Sequence, residues 1–297
     1  MSQATSPSTN TRYGLARVCR VWGLARSTVY WQRQERGGTA PRPGPTGPCT
    51  DAELVVHIRT VLQASPFYGE GYRKVWARLR YAGVRTSPRR VLRLMREQGL
   101  LAPQRQGQPH GPSAHDGTII TDRVDTLWGA DMTATFTREE GQVAIFIAVD
   151  HCSAECVGIH AAKHGTRFEA LEPIRQGVRT HFGAFDKEVA HGLLLRHDHG
   201  SQYMSRVFQD ELAFLGVTSS PAFVREPQGN GCAERFIRTL KENLLWITTF
   251  DTVEELRVAL LEFKRRYNET WLIGRHRYKT PMQVRQEQQA ARAQQVA

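Results

Sequence analysis

The sequence predicts an α/β protein in which small all-α segments precede a mixed-sheet domain. Three observations support this class: helical periodicity between residues 13 and 98, strand-like runs after residue 126, and Pro/Gly-rich linkers that separate the segments. The chain has 297 residues, which is enough for two or three domains. No internal repeat is apparent, so the predicted segments are distinct structural units.

Charge is distributed unevenly along the chain. Residues 1–115 carry 18 lysines and arginines against 5 acidic residues, whereas the remaining residues carry 22 against 24. A net charge of +13 in the first segment is typical of a surface that binds polyanions, and the near-neutral remainder suggests a different task. We therefore expect the N-terminal segments to bind nucleic acid.

Residues 12–35 predict a helix-turn-helix. Apolar residues recur at helical spacing before Gly23, which marks a turn, and the next helix opens with Arg26, Ser27 and Thr28. In such a motif the second helix can enter the major groove of DNA. Arg26, Ser27 and Thr28 are therefore predicted DNA contacts.

Residues 36–50 form a linker, and residues 51–102 predict a second helical, helix-turn-helix-like DNA-binding domain. Asp51 is expected to cap its first helix, and Ser87, followed by Pro88, its last. The last two helices carry more basic side chains than a solvated face needs, which favours contacts with DNA phosphates. The predicted contacts are Arg73, Lys74, Arg89, Arg90 and Arg93.

After a second linker at residues 103–120, the pattern becomes strand-like. Residues 121–286 are the predicted catalytic core with its C-terminal helices, and residues 287–297 are a tail. The periodicity predicts strands at 126–137, 143–149, 155–160, 192–196 and from 217, and helices at 167–182, 204–215, around 234 and at 252–267.

Three carboxylates stand at prominent places in this core. Asp131 lies in the first predicted strand, Asp198 follows the buried run Leu193–Leu195, and Glu234 begins a helix 35 intervening residues later. Mg²⁺ takes oxygen ligands, and a pair of such ions can stabilise the attacking and leaving oxygens of a phosphoryl displacement. The pattern favours metal-dependent chemistry on nucleic-acid phosphodiesters, with these three residues as catalytic metal ligands.

Neighbouring polar residues are assigned other roles. Asp150 ends a strand and is expected to form a turn. His197 and His199 flank Asp198 and are expected to orient it or to contact DNA. Tyr203 is compatible with either a core position or a DNA-facing one.

These residues resemble those of bacterial insertion-sequence transposases with a retroviral-type integrase (DDE) catalytic core and an N-terminal helix-turn-helix region. The matching motifs are W-x-x-D-x-T at 128–133, H-D-H-G-S-Q-Y at 197–203 and P-x-x-x-G-x-x-E-R at 227–235. Further matching segments are FYGEGYR, RRVLRLMREQGL and YNETW…TPMQV, so the resemblance runs from about residue 12 to 286.

The resemblance implies a ribonuclease H-like fold, with Asp131 on the first strand, Asp198 after the fourth and Glu234 on a helix. It also implies two Mg²⁺ or Mn²⁺ ions, which support cutting at the element's ends and strand transfer by the freed 3′-hydroxyl. The expected partners are double-stranded DNA of the element ends and the target, further copies of the chain in a homo-oligomer on DNA, and a protein from an upstream reading frame. Near Glu234, the expected DNA contacts are Asn230, Arg235, Arg238 and Lys241.

Two other functions stay open at this stage. One is a related nuclease that acts on RNA–DNA hybrids or junctions, and the other is a catalytically inactive DNA-binding regulator. The sequence has no apolar run of the length that spans a membrane and no signal peptide at its start, and its five scattered cysteines fit a reducing compartment. We therefore expect a cytoplasmic protein.

Overall fold

The computed structural model describes residues 4–33, 49–103, 119–222 and 230–296. Contacts divide the chain into two compact units, Met1–Gly47 and Pro48–Ala297. The predicted linkers at 36–50 and 103–120 fall largely outside the described residues. Pro227, the first residue of the P-x-x-x-G-x-x-E-R motif, also falls outside them. No helix of the described part is long and apolar enough to cross a membrane.

The N-terminal unit contains two short helices, α1 (Leu15–Val21) and α2 (Arg26–Arg33). Gly23 between them has φ +62°, a left-handed conformation that glycine adopts without strain. Arg26, Ser27 and Thr28 are exposed on the first turn of α2. The predicted helix–turn–helix pattern is therefore present here, and the DNA contacts stay a prediction.

Three helices follow in the second unit: α3 (Asp51–Ala64), α4 (Tyr72–Tyr81) and α5 (Pro88–Glu97). The prediction that Asp51 caps α3 is wrong. Thr50 is the cap, and it forms a capping box with Glu53, so that two backbone N–H groups are satisfied at once. Ser87 caps α5 as predicted. The three helices bury one apolar cluster, which includes Leu54, Val75 and Met95.

Five strands after helix α5 form one sheet, in the order β3-β2-β1-β4-β5. They are β1 (Leu127–Thr137), β2 (Gly141–Asp150), β3 (Cys156–Ala162), β4 (Leu194–His197) and β5 (Thr218–Pro221). The first three strands are an antiparallel meander, whereas β4 and β5 run parallel to β1. This mixed sheet with helices on both faces confirms the predicted α/β class.

Each face of the sheet is covered by its own helices. On one face, α6 (Arg167–Phe182), α7 (Ser201–Met204) and α8 (Arg206–Leu215) pack on a cluster that contains Trp128 and Phe146. On the other, α9 (Gly231–Leu240) and α10 (Val253–Thr270) pack on Ile145 and Ile147. Alternate residues of β2 thus enter different clusters, as the two-residue period of a strand requires.

Gly158 of β3 allows α6 to approach the sheet closely. A Cβ atom at this position would lie 1.9 Å from the carbonyl oxygen of Pro173, inside α6. Because that neighbour is backbone, only glycine permits this separation.

A final helix, α11 (Pro281–Val296), closes the fold. It includes residues 287–296, which the sequence analysis assigned to a tail. Arg285 is only 5% exposed and binds Asp125 through Nη1 at 2.5 Å and Nη2 at 2.9 Å, and also Glu155. This buried ion cluster fixes α11 to the turns that precede β1 and β3.

The segment FYGEGYR joins helices α3–α5 to the sheet domain. Phe67 belongs to the apolar cluster beneath α9 and α10, with its ring 4.8 Å from that of Trp271. The Tyr68 N–H donates to Asn243 Oδ1 at 2.8 Å, and Arg78, held by the buried carboxylate of Glu70, donates to the carbonyl of Thr270 at 3.2 Å. The two parts therefore have separate apolar clusters and are joined by Phe67 and by these hydrogen bonds.

Candidate active site

The strand register places Asp131 beside Asp198. Strands β1 and β4 run parallel, with Gly129 opposite Arg196. Asp131 lies two residues after Gly129 on β1, the central strand of the sheet. Asp198 lies two residues after Arg196, just past the end of β4. Because adjacent strands are about 4.8 Å apart, we expect the two aspartates to lie close together.

Asp131 points to the face that carries α9. It lies directly opposite Ile147 of β2, and Ile147 belongs to the apolar cluster under α9 and α10. Directly opposed residues of an antiparallel pair project from the same face. Glu234 is exposed in the first turn of α9, the helix that packs on this face of the sheet. The three carboxylates are thus carried by a strand, by the segment after β4 and by a helix.

A hydrogen bond ties α9 to β1 beside this region. Asn230, which directly precedes α9, donates from Nδ2 to the carbonyl oxygen of Ala130 at 2.8 Å. Ala130 is the residue before Asp131, and Asn230 lies one helical turn before Glu234. The contact therefore links the backbone segments that carry two of the carboxylates.

The carboxylates affect one another electrostatically. The pKa of Asp131 rises to about 6, chiefly because burial disfavours its charged form, and the negative charges of Asp198 and Glu234 raise it further. The hydrogen bond from Met132 N–H and the positive charge of Lys241 act in the opposite direction. The charges of Asp198, Glu234 and Lys241 therefore all act on Asp131, and the catalytic role of the three carboxylates stays a prediction.

Backbone amides hold the two aspartates in defined orientations. Oδ1 of Asp131 accepts the N–H of Met132 at 2.8 Å, and Oδ1 of Asp198 accepts that of Gly200 at 2.8 Å. The hydrogen bonds of the described residues leave Oδ2 of each aspartate for a cation. In that part of the chain, however, no three His, Cys, Asp or Glu side chains already surround a common point, so the triad would have to close around an ion.

The residues around Asp198 have mainly internal roles. His197 is fully buried; its Nδ1 donates to the carbonyl of Asp198 at 2.6 Å, and its Nε2 lies 2.8 Å from Ser219 Oγ. It orients the backbone of Asp198, one of the two predicted roles. Asp150 forms the predicted turn, because its Oδ1 accepts both the N–H and the hydroxyl of Ser153 at 2.7 Å.

Tyr203 is a core residue at the edge of the site. It is 1% exposed and stacks on His197 with ring centroids 5.3 Å apart. Burial raises the pKa of Tyr203, and the charges of Asp131 and Asp198 raise it further. Its position resolves the ambiguity left by the sequence, in which an aromatic residue five positions after Asp198 was compatible with either environment.

The predicted DNA contacts of helices α4 and α5 have varied surroundings. Arg89 is exposed, and Arg73 is also exposed beside Tyr72. Arg90 and Arg93 bind Asp51 at 2.7 and 2.6 Å. The ammonium of Lys74 lies over the Trp271 ring, 2.7 Å from its centroid. Contacts of these five basic residues with DNA stay a prediction.

Along α9 the basic residues remain accessible. Arg235 and Arg238 are exposed, and Lys241 is half-buried where the helix continues into a π-helical turn, Lys241–Leu245. Asn230, by contrast, is buried and 7% exposed. The proximity of Lys241 to Asp131 could not be read from the sequence, because it depends on how α9 crosses β1.

Two segments of the chain match known protein families. Residues 50–108 match the family described as HTH-like domain, and residues 215–281 match the one described as integrase core domain. The second match includes Glu234 but begins after both aspartates. Two segments of the chain are therefore similar to these two families.

The chain is also similar to bacterial transposases. The chain is 27% identical over 227 residues to Transposase InsD for insertion element IS2A/D/F/H/I/K of Escherichia coli, an alignment that covers 74% of this chain and 73% of the relative. It is homologous to these InsD transposases. The integrase core match and the mixed sheet agree with the ribonuclease H-like fold that the resemblance implied.

Two solved structures illustrate the likeness. One is a simian T-cell lymphotropic virus intasome in complex with a PP2A regulatory subunit, with 18% identity, a TM-score of 0.45, and coverage of 80% of this chain and 74% of the other. The other is the HTLV-2 integrase catalytic core domain in complex with magnesium, with 17% identity, a TM-score of 0.40, and coverage of 54% and 96%.

Proposed function

We propose that this protein is a DNA transposase that binds the ends of a mobile element and catalyses DNA strand cleavage and strand transfer with Asp131, Asp198 and Glu234. The observation that supports the proposal is the position of Asp131 on β1, next to the strand β4 that Asp198 follows, together with the charges of Asp198 and Glu234, both of which act on Asp131. Homology to the InsD transposases supports the same function.

The triad suits a pair of divalent cations, Mg²⁺ or Mn²⁺. All three side chains offer carboxylate oxygens, the donor type that these ions prefer. The pKa of Asp131 is raised by burial and by two like charges, and a bound cation would offset both effects. When bound, two such ions supply Lewis-acid activation of the attacking oxygen and stabilisation of the leaving oxygen.

The protein's own contribution is to place DNA over these carboxylates. In cleavage, a water oxygen bonds to phosphorus while the bond to the 3′ oxygen breaks, and that oxygen takes up a proton. In strand transfer, the resulting 3′-hydroxyl attacks a phosphorus of the target in the same way. Arg235, Arg238 and Lys241 follow the triad glutamate on α9 and would neutralise the phosphates on either side of the reacting one.

The HTH-like segment would recognise the element's terminal sequences. Its excess of basic residues supports binding to double-stranded DNA. Since a mobile element has two ends, we propose that at least two copies of the chain assemble on DNA. Association with a protein encoded by an upstream frame and cytoplasmic localisation are further proposals, which purification from the source cell would test.

The decisive experiment compares wild-type protein with Asp198→Asn on labelled DNA that carries the element's two ends, with Mg²⁺ or Mn²⁺. Nicking and joined products that require the cation and fall at least about 10³-fold in the variant support the proposal. Asp210→Asn is the matched control, since Asp210 is exposed and pairs only loosely with Arg206, at 3.4 Å. It removes the same charge away from the triad and should leave activity unchanged.

The alternatives give different results in the same experiment. Binding to the ends without cleavage under either cation would indicate a DNA-binding regulator, or a requirement for another protein. Preferential cleavage of an RNA–DNA hybrid, lost in Asp198→Asn, would instead assign the site to a nuclease. Undiminished cleavage by Asp198→Asn would refute the catalytic triad.

A further inference from the structure

Three groups meet at the base of the candidate site, where α9 begins. Gly129 of β1 lies two residues before Asp131, and an added Cβ atom there would be 2.3 Å from Asn230 Oδ1 and 2.7 Å from His151 Nε2. Both atoms therefore press against the backbone of β1. Only glycine at position 129 leaves space for the Asn230 side chain.

The position of Asn230 is determined from several directions. Its Nδ2 donates to the carbonyl of Ala130 at 2.8 Å, and its side chain borders His151, which is 0% exposed. His151 is itself fixed, because its Nδ1 donates to the carbonyl of Ile119 at 2.8 Å. Its backbone carbonyl accepts Arg275 Nη2 at 2.8 Å. Asn230 is thus held in a rigid polar socket.

Two atoms of this socket have incomplete hydrogen bonding. His151 Nε2 and Asn230 Oδ1 are buried and have no hydrogen bond of regular geometry. The amide is nevertheless close enough to oppose the lowering of the His151 pKa that burial causes. Buried polar groups are normally satisfied, and those that are not often occur where function constrains the arrangement. Stability alone does not account for a polar socket at this place.

We propose that Asn230, seated over Gly129 and against His151, is a positioning residue that sets the separation of Asp131 and Glu234. Its amide bonds the carbonyl next to Asp131 in sequence, and Glu234 follows Asn230 by one helical turn. Any shift of the start of α9 along β1 therefore changes the distance between the two carboxylates. This proposal rests on the proposed function, in which these carboxylates bind cations together.

The test uses the full chain and three variants. Asn230→Ala removes the donor, Gly129→Ala places a methyl group where the Asn230 side chain lies, and the third variant combines both changes. Two readouts are independent of catalysis: the rise in melting temperature that Mn²⁺ causes, and hydrogen exchange of the amides in Gly231–Leu240. Cleavage of end DNA and its Mn²⁺ midpoint are measured in parallel.

Loss of an outer-shell partner typically reduces metal affinity or activity about 10–100-fold. We expect each single variant to show a smaller Mn²⁺-induced rise in melting temperature, faster exchange in α9 and a Mn²⁺ midpoint raised by at least about tenfold, with DNA-end affinity within about twofold of wild type. The double variant should be no worse than Gly129→Ala alone, since both changes remove the same contact.

Asn243→Ala is the matched control. Like Asn230, Asn243 is a buried asparagine next to α9. It follows the helix, however, and its hydrogen bonds join it to Tyr68 and Thr239. It should lower the melting temperature without changing the Mn²⁺ midpoint. That result separates positioning of the triad from a general loss of stability.

The other possible outcomes would refute the positioning role of Asn230. If wild type responds to Mn²⁺ and cuts DNA but Asn230→Ala has the same Mn²⁺ midpoint, the positioning role is refuted and the proposed function stands. If Asn230→Ala loses affinity for DNA ends with an unchanged Mn²⁺ response, Asn230 is a DNA contact. If wild type neither gains stability from Mn²⁺ nor cuts DNA, the proposed function fails, and the positioning role fails with it.

Discussion

Replacement of Asp131 by asparagine should stabilise the cation-free protein. Burial and two neighbouring carboxylates raise the pKa of Asp131 from 3.8 to about 6. Because the folded-state pKa lies above the unfolded one, this carboxyl group lowers the stability as the pH rises above 3.8, and the loss is complete above about pH 6. A difference of about two units corresponds to ~3 kcal/mol at neutral pH. Since asparagine must also be buried, we expect Asp131→Asn to recover about 1–2 kcal/mol.

The pH dependence distinguishes this mechanism from a general packing effect. The opposing contribution is absent below pH 3.8 and complete above about pH 6, so the gain from Asp131→Asn should be smaller by ~1 kcal/mol at pH 5 than at pH 7.5. Urea unfolding with a chelator present measures both values, and Asp210→Asn serves as the exposed control. A variant that is less stable than wild type at pH 7.5, or a gain independent of pH, would refute the argument.

Three further predictions concern the framework around the site. Arg285→Ala should cost about 3–5 kcal/mol in urea unfolding, because it leaves buried carboxylates without their cation. Burial and the nearby charge of Arg285 lower the pKa of His181 to about 4. Up to ~3 kcal/mol of the free energy of unfolding should therefore be lost as the pH falls from 6.5 towards 4. His181→Gln should make the free energy of unfolding less dependent on pH in this range. Gly158→Ala should lower stability by at least ~2 kcal/mol, since its Cβ would meet the Pro173 carbonyl at 1.9 Å, whereas Gly274→Ala, with nothing within 4 Å, should change it by less than ~0.5 kcal/mol.

Local sequence patterns predicted most elements of the fold. The alternation of apolar residues located β1 and β2, and Gly141, with φ +74°, forms the turn between them. The errors arose where tertiary contacts or competing residues decide. Thr50 and Asp51 are both suitable caps, and the capping box with Glu53 selects the first. Helix α11 has a weak apolar pattern, and its attachment depends on Arg285 reaching two distant carboxylates.

The arrangement of the candidate site was harder to predict from the sequence than its residues. Sequence motifs pointed to Asp131, Asp198 and Glu234 as a site, which stays a prediction, but they could not show that β1 pairs with β4, the strand that Asp198 follows. The density of basic residues could not separate exposed Arg89 from Lys74, which lies over Trp271. The enclosure of Asn230 likewise depends on a histidine 79 positions earlier in the chain, and no local pattern reports such a contact.

The FYGEGYR segment also limits how this architecture can be rearranged. Phe67 enters the core of the sheet domain, where its ring meets those of Phe263 and Trp271 at centroid distances of 6.2 and 4.8 Å. Helices α3–α5 therefore cannot be exchanged for another recognition module by recombination between the two segments alone. A newly acquired module would have to bring its own equivalent of Phe67, or the aromatic pocket would open to water. This contact favours inheritance of helices α3–α5 and the sheet domain as a single unit.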